Sequence, residues 1–136
     1  MKRSAKAEYA CLAMLALARH RPEEPPMRIR EISEAQGIPE RYLVQILLYL
    51  KGAGLVSSVR GASGGYRLTR PPDRISIAEV LMAIDGPEEH PREPQNPEAR
   101  ALTSVWEEVR RAEQAVLDRI SLADLTERAA PRDWVI

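Results

Sequence analysis

Met27 to Arg70, MRIREISEAQGIPERYLVQILLYLKGAGLVSSVRGASGGYRLTR, is the stretch that decides the fold. Ile29, Ile32, Ala35 and Ile38 recur every three residues and predict a short helix with one apolar face. Gly37 stops it where a left-handed residue is needed between paired helices, and Pro39 suits the first turn of the next. That next helix, roughly 39–52, turns Leu43, Ile46, Leu47 and Leu50 inward and leaves Arg41, Tyr42, Val44, Gln45 and Tyr49 on or near the outer side. The period then changes from helix to strand. Leu55 to Val59 and Tyr66 to Thr69 read as two β-runs, joined by a tip rich in glycine at Gly61, Gly64 and Gly65. A helix pair feeding a ribbon with Arg60 on its shoulder can fill a DNA major groove and reach the neighbouring minor groove at once. The expected fold class is mainly α with a small β-wing (α+β), a winged helix-turn-helix plus a long C-terminal dimerisation helix.

The flanks agree with that reading. Ser4 caps an expected first helix of about residues 5–20, which Pro22, Pro25 and Pro26 end. Pro71 and Pro72 close the wing, and Ser76 to Glu79 is a capping box opening a short helix with Ile77, Val80, Leu81 and Ile84 as its apolar residues. Residues 86–96, GPEEHPREPQN, hold three prolines and no periodicity, and read as a linker. Asn96, Pro97 and Glu98 supply an N-cap, a first-turn proline and an acid that complements the helix dipole. They open a helix of about 97–120 whose Leu102, Val105, Trp106, Val109, Val116, Leu117 and Ile120 form a stripe. So long a stripe exceeds what a small domain can cover, and a symmetry-related copy is the expected cover; folding back on its own domain is the alternative. Ser121 to Asp124 starts a last short helix. The expected organisation is a DNA-binding domain at 1–85, a linker at 86–96, dimerisation helices at 97–130 and a tail at 131–136.

Composition sets the outer limits. The 136 residues, 44% of them hydrophobic, suffice for one core but not for two enzyme-sized domains. No apolar run approaches the roughly 20 residues that span a bilayer, and the opening MKRSAKAEYACLAMLALARH has no small-residue cleavage site, so a cytoplasmic location is expected. The net charge of zero hides an asymmetry: residues 1–85 carry 13 Lys and Arg against 9 Asp and Glu, whereas residues 86–136 carry 7 against 11. A basic front half can neutralise phosphates while an acidic rear half is left for protein contacts. The single cysteine, Cys11, excludes an internal disulfide framework and lies on an apolar helical face, where packing is the expected role. An enzyme is disfavoured. The Gly61–Gly65 loop lacks the lysine and following helix of a phosphate cradle, and the two histidines, His20 and His90, fall in loops.

Gly37-Ile38, Tyr42-Leu43, Ala53-Gly54-Leu55-Val56 and Arg60-Gly61-Ala62-Ser63-Gly64-Gly65-Tyr66 together resemble the Rrf-type bacterial transcription regulators, the family of IscR, NsrR and CymR. The resemblance spans nearly the whole chain, from Met1–Ala10 through Asp85-Gly86-Pro87. It implies a dimeric winged-helix regulator, in many members carrying an iron–sulfur cluster on three cysteines after the winged domain. A cluster needs thiolates, and residues 86–105 offer only His90 and carboxylates such as Glu88 and Glu89. No cofactor and no metal site is therefore expected, which places the chain beside the cysteine-less branch most like CymR and suggests a role in cysteine or sulfur metabolism. The ending Trp134-Val135-Ile136 is similar to isoleucine-terminated tails that dock into cysteine synthase. A free carboxylate beside a branched apolar side chain can mimic an amino-acid substrate; packing of the same tail on the dimer helix stands as the alternative.

Phosphate contacts are expected from Lys6, Arg28 and Arg3. By resemblance, Tyr42 and Gln45 enter the major groove, where glutamine can bond an adenine edge with both amide groups, and Arg41 reaches phosphate or guanine. Val44 stands where many relatives have glutamate, exchanging an acceptor for an apolar contact such as a thymine methyl. Arg60 is similar to the family's minor-groove arginine, and Gly61, Gly64 and Gly65 let the ribbon approach the sugar-phosphate wall. The expected partner is double-stranded promoter DNA with a pseudo-palindromic operator, bound by a homodimer acting as a repressor. The rival is a winged-helix interaction module that docks an enzyme such as cysteine synthase without reading DNA.

Overall fold

Short side chains along one helix let the rest of the fold close around it. In a computed structural model describing residues 3–87 and 93–131, α1 (Ala5–Arg19) places Ala7, Ala10 and Ala13 at zero exposure. These small residues let α2 (Ile29–Gln36), α3 (Glu40–Gly52), α4 (Ile77–Asp85) and α6 (Leu122–Ala129) all touch α1. Leu43, Ile46, Leu47 and Leu50 of α3 fill the space beside it with no exposed surface. Each such side chain stabilises the fold by roughly 1.5–3 kcal/mol relative to remaining in water. Ser4 caps α1 as expected, its hydroxyl accepting from the Ala7 N–H at 3.1 Å.

The helix pair forms where the sequence places it. Gly37 ends α2 at φ 66°, ψ 32°, a left-handed conformation that costs glycine nothing. Pro39 sits one residue earlier than expected: its ψ of 134° is extended, so it is the cap of α3 and its carbonyl accepts from the Tyr42 and Leu43 N–H groups.

The wing is antiparallel β1 (Val56–Val59) and β2 (Gly65–Leu68), pairing Val56 with Leu68 and Val59 with Gly65. A third edge comes from outside the expected ribbon. Met27 bridges Tyr66 through both backbone hydrogen bonds, 3.0 and 2.7 Å, so the stretch before α2 completes the sheet. The guanidinium of Arg67 ties the same loop down by donating to the carbonyls of Pro22 and Glu24. Gly64 and Gly65 act inside this assembly. A β-carbon at Gly64 would collide with the Val59 carbonyl and one at Gly65 with the Met27 carbonyl, so Gly64 is required by close packing of the wing on itself and Gly65 by its packing on the stretch before α2.

After a 3-10 turn at Pro72–Arg74, α4 opens on the expected capping box, with the Ser76 hydroxyl accepting from Glu79 N–H at 3.2 Å and the Glu79 carboxylate accepting from Ser76 N–H at 2.9 Å. α5 (Pro97–Arg119) begins on Asn96, whose side chain accepts from the Ala99 N–H. Then the chain returns. Ser76 and Ser121 form an antiparallel bridge, with Ile77 N–H donating to the Ile120 carbonyl and Leu122 N–H to the Ile75 carbonyl, each at 2.9 Å. Leu122 is fully buried in the same core as α1 and α3. The sequence groups α6 with α5; in the structure α6 packs on the winged unit, where the buried Leu122 and the backbone bridge hold it. A second capping box holds its start, and the hydrogen bond from Ser121 N–H, followed by that from its hydroxyl, keeps the Asp124 carboxyl below its usual range.

Candidate nucleic-acid interface

α3 buries one side so completely that the other is a continuous outward face. Arg41, Gln45 and Leu48 run along its middle, Val44 flanks them on one side, and Tyr42 and Tyr49 flank them on the other; all six are exposed. The tyrosines face α1. The Tyr42 ring lies 6.0 Å from that of Tyr9, and the Arg41 guanidinium stands 5.0 Å above the Tyr42 ring. Lys6 reaches the same border from α1, its Nζ 5.5 Å from the centre of the Tyr49 ring. These cation–π contacts order long side chains that otherwise lose entropy on binding.

The far border leads to the wing. Lys51 Nζ donates to the Ser58 hydroxyl at 2.6 Å, joining the end of α3 to β1. Arg60 and Gly61 follow β1 and are exposed, and Arg60 makes no ion pair among the described residues. Arg28 is exposed at the start of α2, where its N–H donates to the Glu31 carboxylate. Lys6, Arg41, Tyr42 and Gln45 thus share the exposed side of α3 and its border with α1, Arg60 stands on the adjoining ribbon, and Arg28 lies at the start of α2 next to Met27, which pairs with that ribbon. Gly64 and Gly65 have the internal packing role described above. Arg3 is elsewhere: its Nη2 lies 2.6 Å from the Glu113 carboxylate, so it ties the chain just before α1 to α5. Two members of the face carry little sequence signal. Lys51 looks like a last-turn cation, and Leu48 looks like core; only its mismatch with the buried positions Leu43, Ile46, Leu47 and Leu50 could have marked it.

The other candidate surface lies on α5, which has 23 residues and none of them buried. Leu102, Val105, Trp106, Val109 and Val116 are exposed, Trp106 to 61%. Leu117 departs from this group. Its end of α5 seats on its own chain, and Leu117 lines a cleft of about 330 Å³ with Arg3, Cys11 and Leu81 among others. Burial in this cleft pushes the Cys11 thiol from its usual 9.0 up to about 11, outweighing the opposing pull of Arg3. The thiol is therefore protonated at neutral pH. Trp134, Val135 and Ile136 of the tail, and Glu88, Glu89 and His90 of the linker, lie outside the described residues.

A helix pair with an outward reading face, flanked by a two-stranded ribbon carrying a cation, defines a winged helix-turn-helix protein. The family model for Rrf2, described as an iron-dependent transcriptional regulator, matches residues 3–128, and the chain belongs to that family of transcriptional regulators. The chain is 41% identical to IscR of Aliivibrio salmonicida over 92% of its own length and 77% of the relative's. It is 37% identical to CymR of Bacillus subtilis, covering 92% of itself and 89% of that protein. Among solved structures, IscR of T. potens superposes with a TM-score of 0.81 at 37% identity, over 100% of this chain and 93% of that one. CymR, the global cysteine regulator of B. subtilis, superposes with a TM-score of 0.82 at 34% identity, over 96% and 99%. These relatives are transcriptional regulators, not enzymes.

The iron in the family's description does not fit the donors of this chain as a cysteine-held cluster. Cys11 is its one cysteine, and the burial that protonates the thiol also opposes the thiolate a metal needs. Among the described residues, no three His, Cys, Asp or Glu side chains are grouped to hold a metal ion, and no helix is long and apolar enough to cross a membrane.

Proposed function

We propose that the chain is a homodimeric, sequence-specific DNA-binding repressor that controls genes of cysteine or sulfur metabolism, and that it is not an enzyme. The observation that carries the reading is the exposed face of α3, bordered by Lys6 on α1 and by Arg60 on the wing. On this reading Lys6 and Arg28 hold phosphates, Gln45 bonds a base edge, Arg41 and Tyr42 share the major groove, and Arg60 with Gly61 enters the minor groove. Phosphate contacts supply affinity and the α3 side chains supply sequence.

The dimer rests on the uncovered stripe of α5. Leu102, Val105, Trp106, Val109 and Val116 give each copy an apolar surface for a two-fold contact, with Trp106 as its natural anchor. Two reading helices related by that axis call for a pseudo-palindromic operator with half-sites about one helical turn apart. Bound over a promoter in the cytoplasm, such a dimer excludes polymerase. The sulfur assignment follows the likeness to CymR. We assign the Trp134-Val135-Ile136 tail to docking on cysteine synthase, which a pull-down with and without those three residues tests.

Mobility-shift titration against promoter fragments from its own genome, repeated at rising salt, tests the main reading. Affinity should fall linearly with the logarithm of salt, with a slope of about 0.9 per phosphate neutralised. Salt-independent binding, or none to any fragment, leaves only the interaction-module reading.

A further inference from the structure

We infer that Val44 and Leu48 form an apolar ridge on α3 that reads the C5-methyl groups of thymines in the major groove, so that operator choice depends on methyls as well as hydrogen bonds. The inference rests on the proposed DNA reading and deepens it at one surface.

Leu48 is 64% exposed and Val44 48%, on a helix whose Leu43, Ile46, Leu47 and Leu50 are all at 0%. The helix therefore has a fully formed core side, and these two residues are outside it. They are four residues apart, hence one turn apart on the same side, with β-carbons about 5–6 Å from each other. That separation spans about two base-pair steps at 3.4 Å each.

The surroundings select the occupant. Gln45 adjoins both residues and offers one donor and one acceptor group, while Arg41 and Lys51 add positive charge on the same outward side. A protein partner with an apolar surface would have to desolvate that amide and those cations unpaired. A DNA groove pairs them all: base edges meet Gln45 and Arg41, a phosphate meets Lys51, and the one apolar group that bases present in the major groove is the thymine methyl. Replacing either side chain does not threaten folding, since both are exposed and alanine is the best helix former.

The test begins with a duplex selected for binding from a random-sequence library. Each symmetry-related thymine pair is then replaced by uracil, which keeps every hydrogen-bonding group and deletes only the methyl. At one or two pairs, the wild type should bind the uracil duplex about 3- to 10-fold more weakly, as expected for methyl groups withdrawn from apolar contact. V44A/L48A should bind thymine and uracil duplexes equally at those pairs. Arg60→Ala should weaken both duplexes while keeping their ratio. The inference is overturned if no uracil pair weakens binding, or if the thymine preference survives in V44A/L48A. Failure to select any duplex would instead remove the DNA reading itself, and this inference with it.

Discussion

The winged unit and α5 are both built from amphipathic helices, yet they meet opposite fates within one chain. In the winged unit α1, α3, α4 and α6 share a core in which Leu43, Ile46, Leu47 and Leu122 have no exposed surface. α5 has a comparable stripe over 23 residues and buries none of it. The difference teaches that periodicity sets which face is apolar, whereas the number of neighbours sets whether that face is covered. Towards its end α5 meets its own chain, at Glu113 and Leu117 among the described residues.

The largest effect that tests this contrast is a cavity in the core. Leu47→Ala should lower the unfolding free energy by about 2–5 kcal/mol, read by urea denaturation. A loss below 1 kcal/mol would mean the core is looser than its burial implies. Trp106→Glu makes the opposite demand on α5. On the proposed dimer it should cost about 2 kcal/mol or more of association and leave a folded monomer in sedimentation velocity. An unchanged dimer would move the interface off this stripe. Arg60→Ala should weaken operator binding by about 1–3 kcal/mol without altering the melting temperature, because the side chain makes no ion pair among the described residues.

Smaller effects sharpen the border between the two regions. Ser121→Ala removes the hydroxyl that accepts from the Asp124 N–H at 3.0 Å and should cost about 1 kcal/mol, measured in the monomeric variant so that dimerisation does not mask it. Cys11 reports on the cleft beneath α5. Its folded pKa lies above the usual value, so its stabilising contribution is complete below pH 9.0 and is lost as pH rises towards about 11. The wild type should therefore lose slightly more stability than Cys11→Ala across that window, and its thiol should react sluggishly with alkylating reagents at neutral pH. Rapid alkylation at neutral pH would show that the cleft is open to water.

Legibility followed the range of the interactions. Local ones were readable: Ser4, Ser76, Asn96 and Ser121 cap the helices their positions announce, and Gly37 takes the left-handed turn. The polar members of the outward α3 face, Arg41, Tyr42 and Gln45, were readable because the inward positions of the same helix are so consistently apolar. Contacts between distant segments were not. Met27 carries no strand pattern by itself and pairs with Tyr66 only once the wing has folded. Arg3 looks like one more phosphate-facing cation until Glu113 is brought to it.

The sequence by itself determined the helix pair, the ribbon and the polar groups they display, because caps, turns and hydrophobic period act over a few residues. Only the tertiary structure decided that Gly64 packs the wing against itself and Gly65 packs it against the stretch before α2, that α6 closes the winged core, and that Leu48 is outside the core while Leu47, its neighbour, is inside. Those outcomes depend on which surfaces remain uncovered after all elements have packed, and a one-dimensional pattern records a side chain's affinity for burial without recording what is available to bury it.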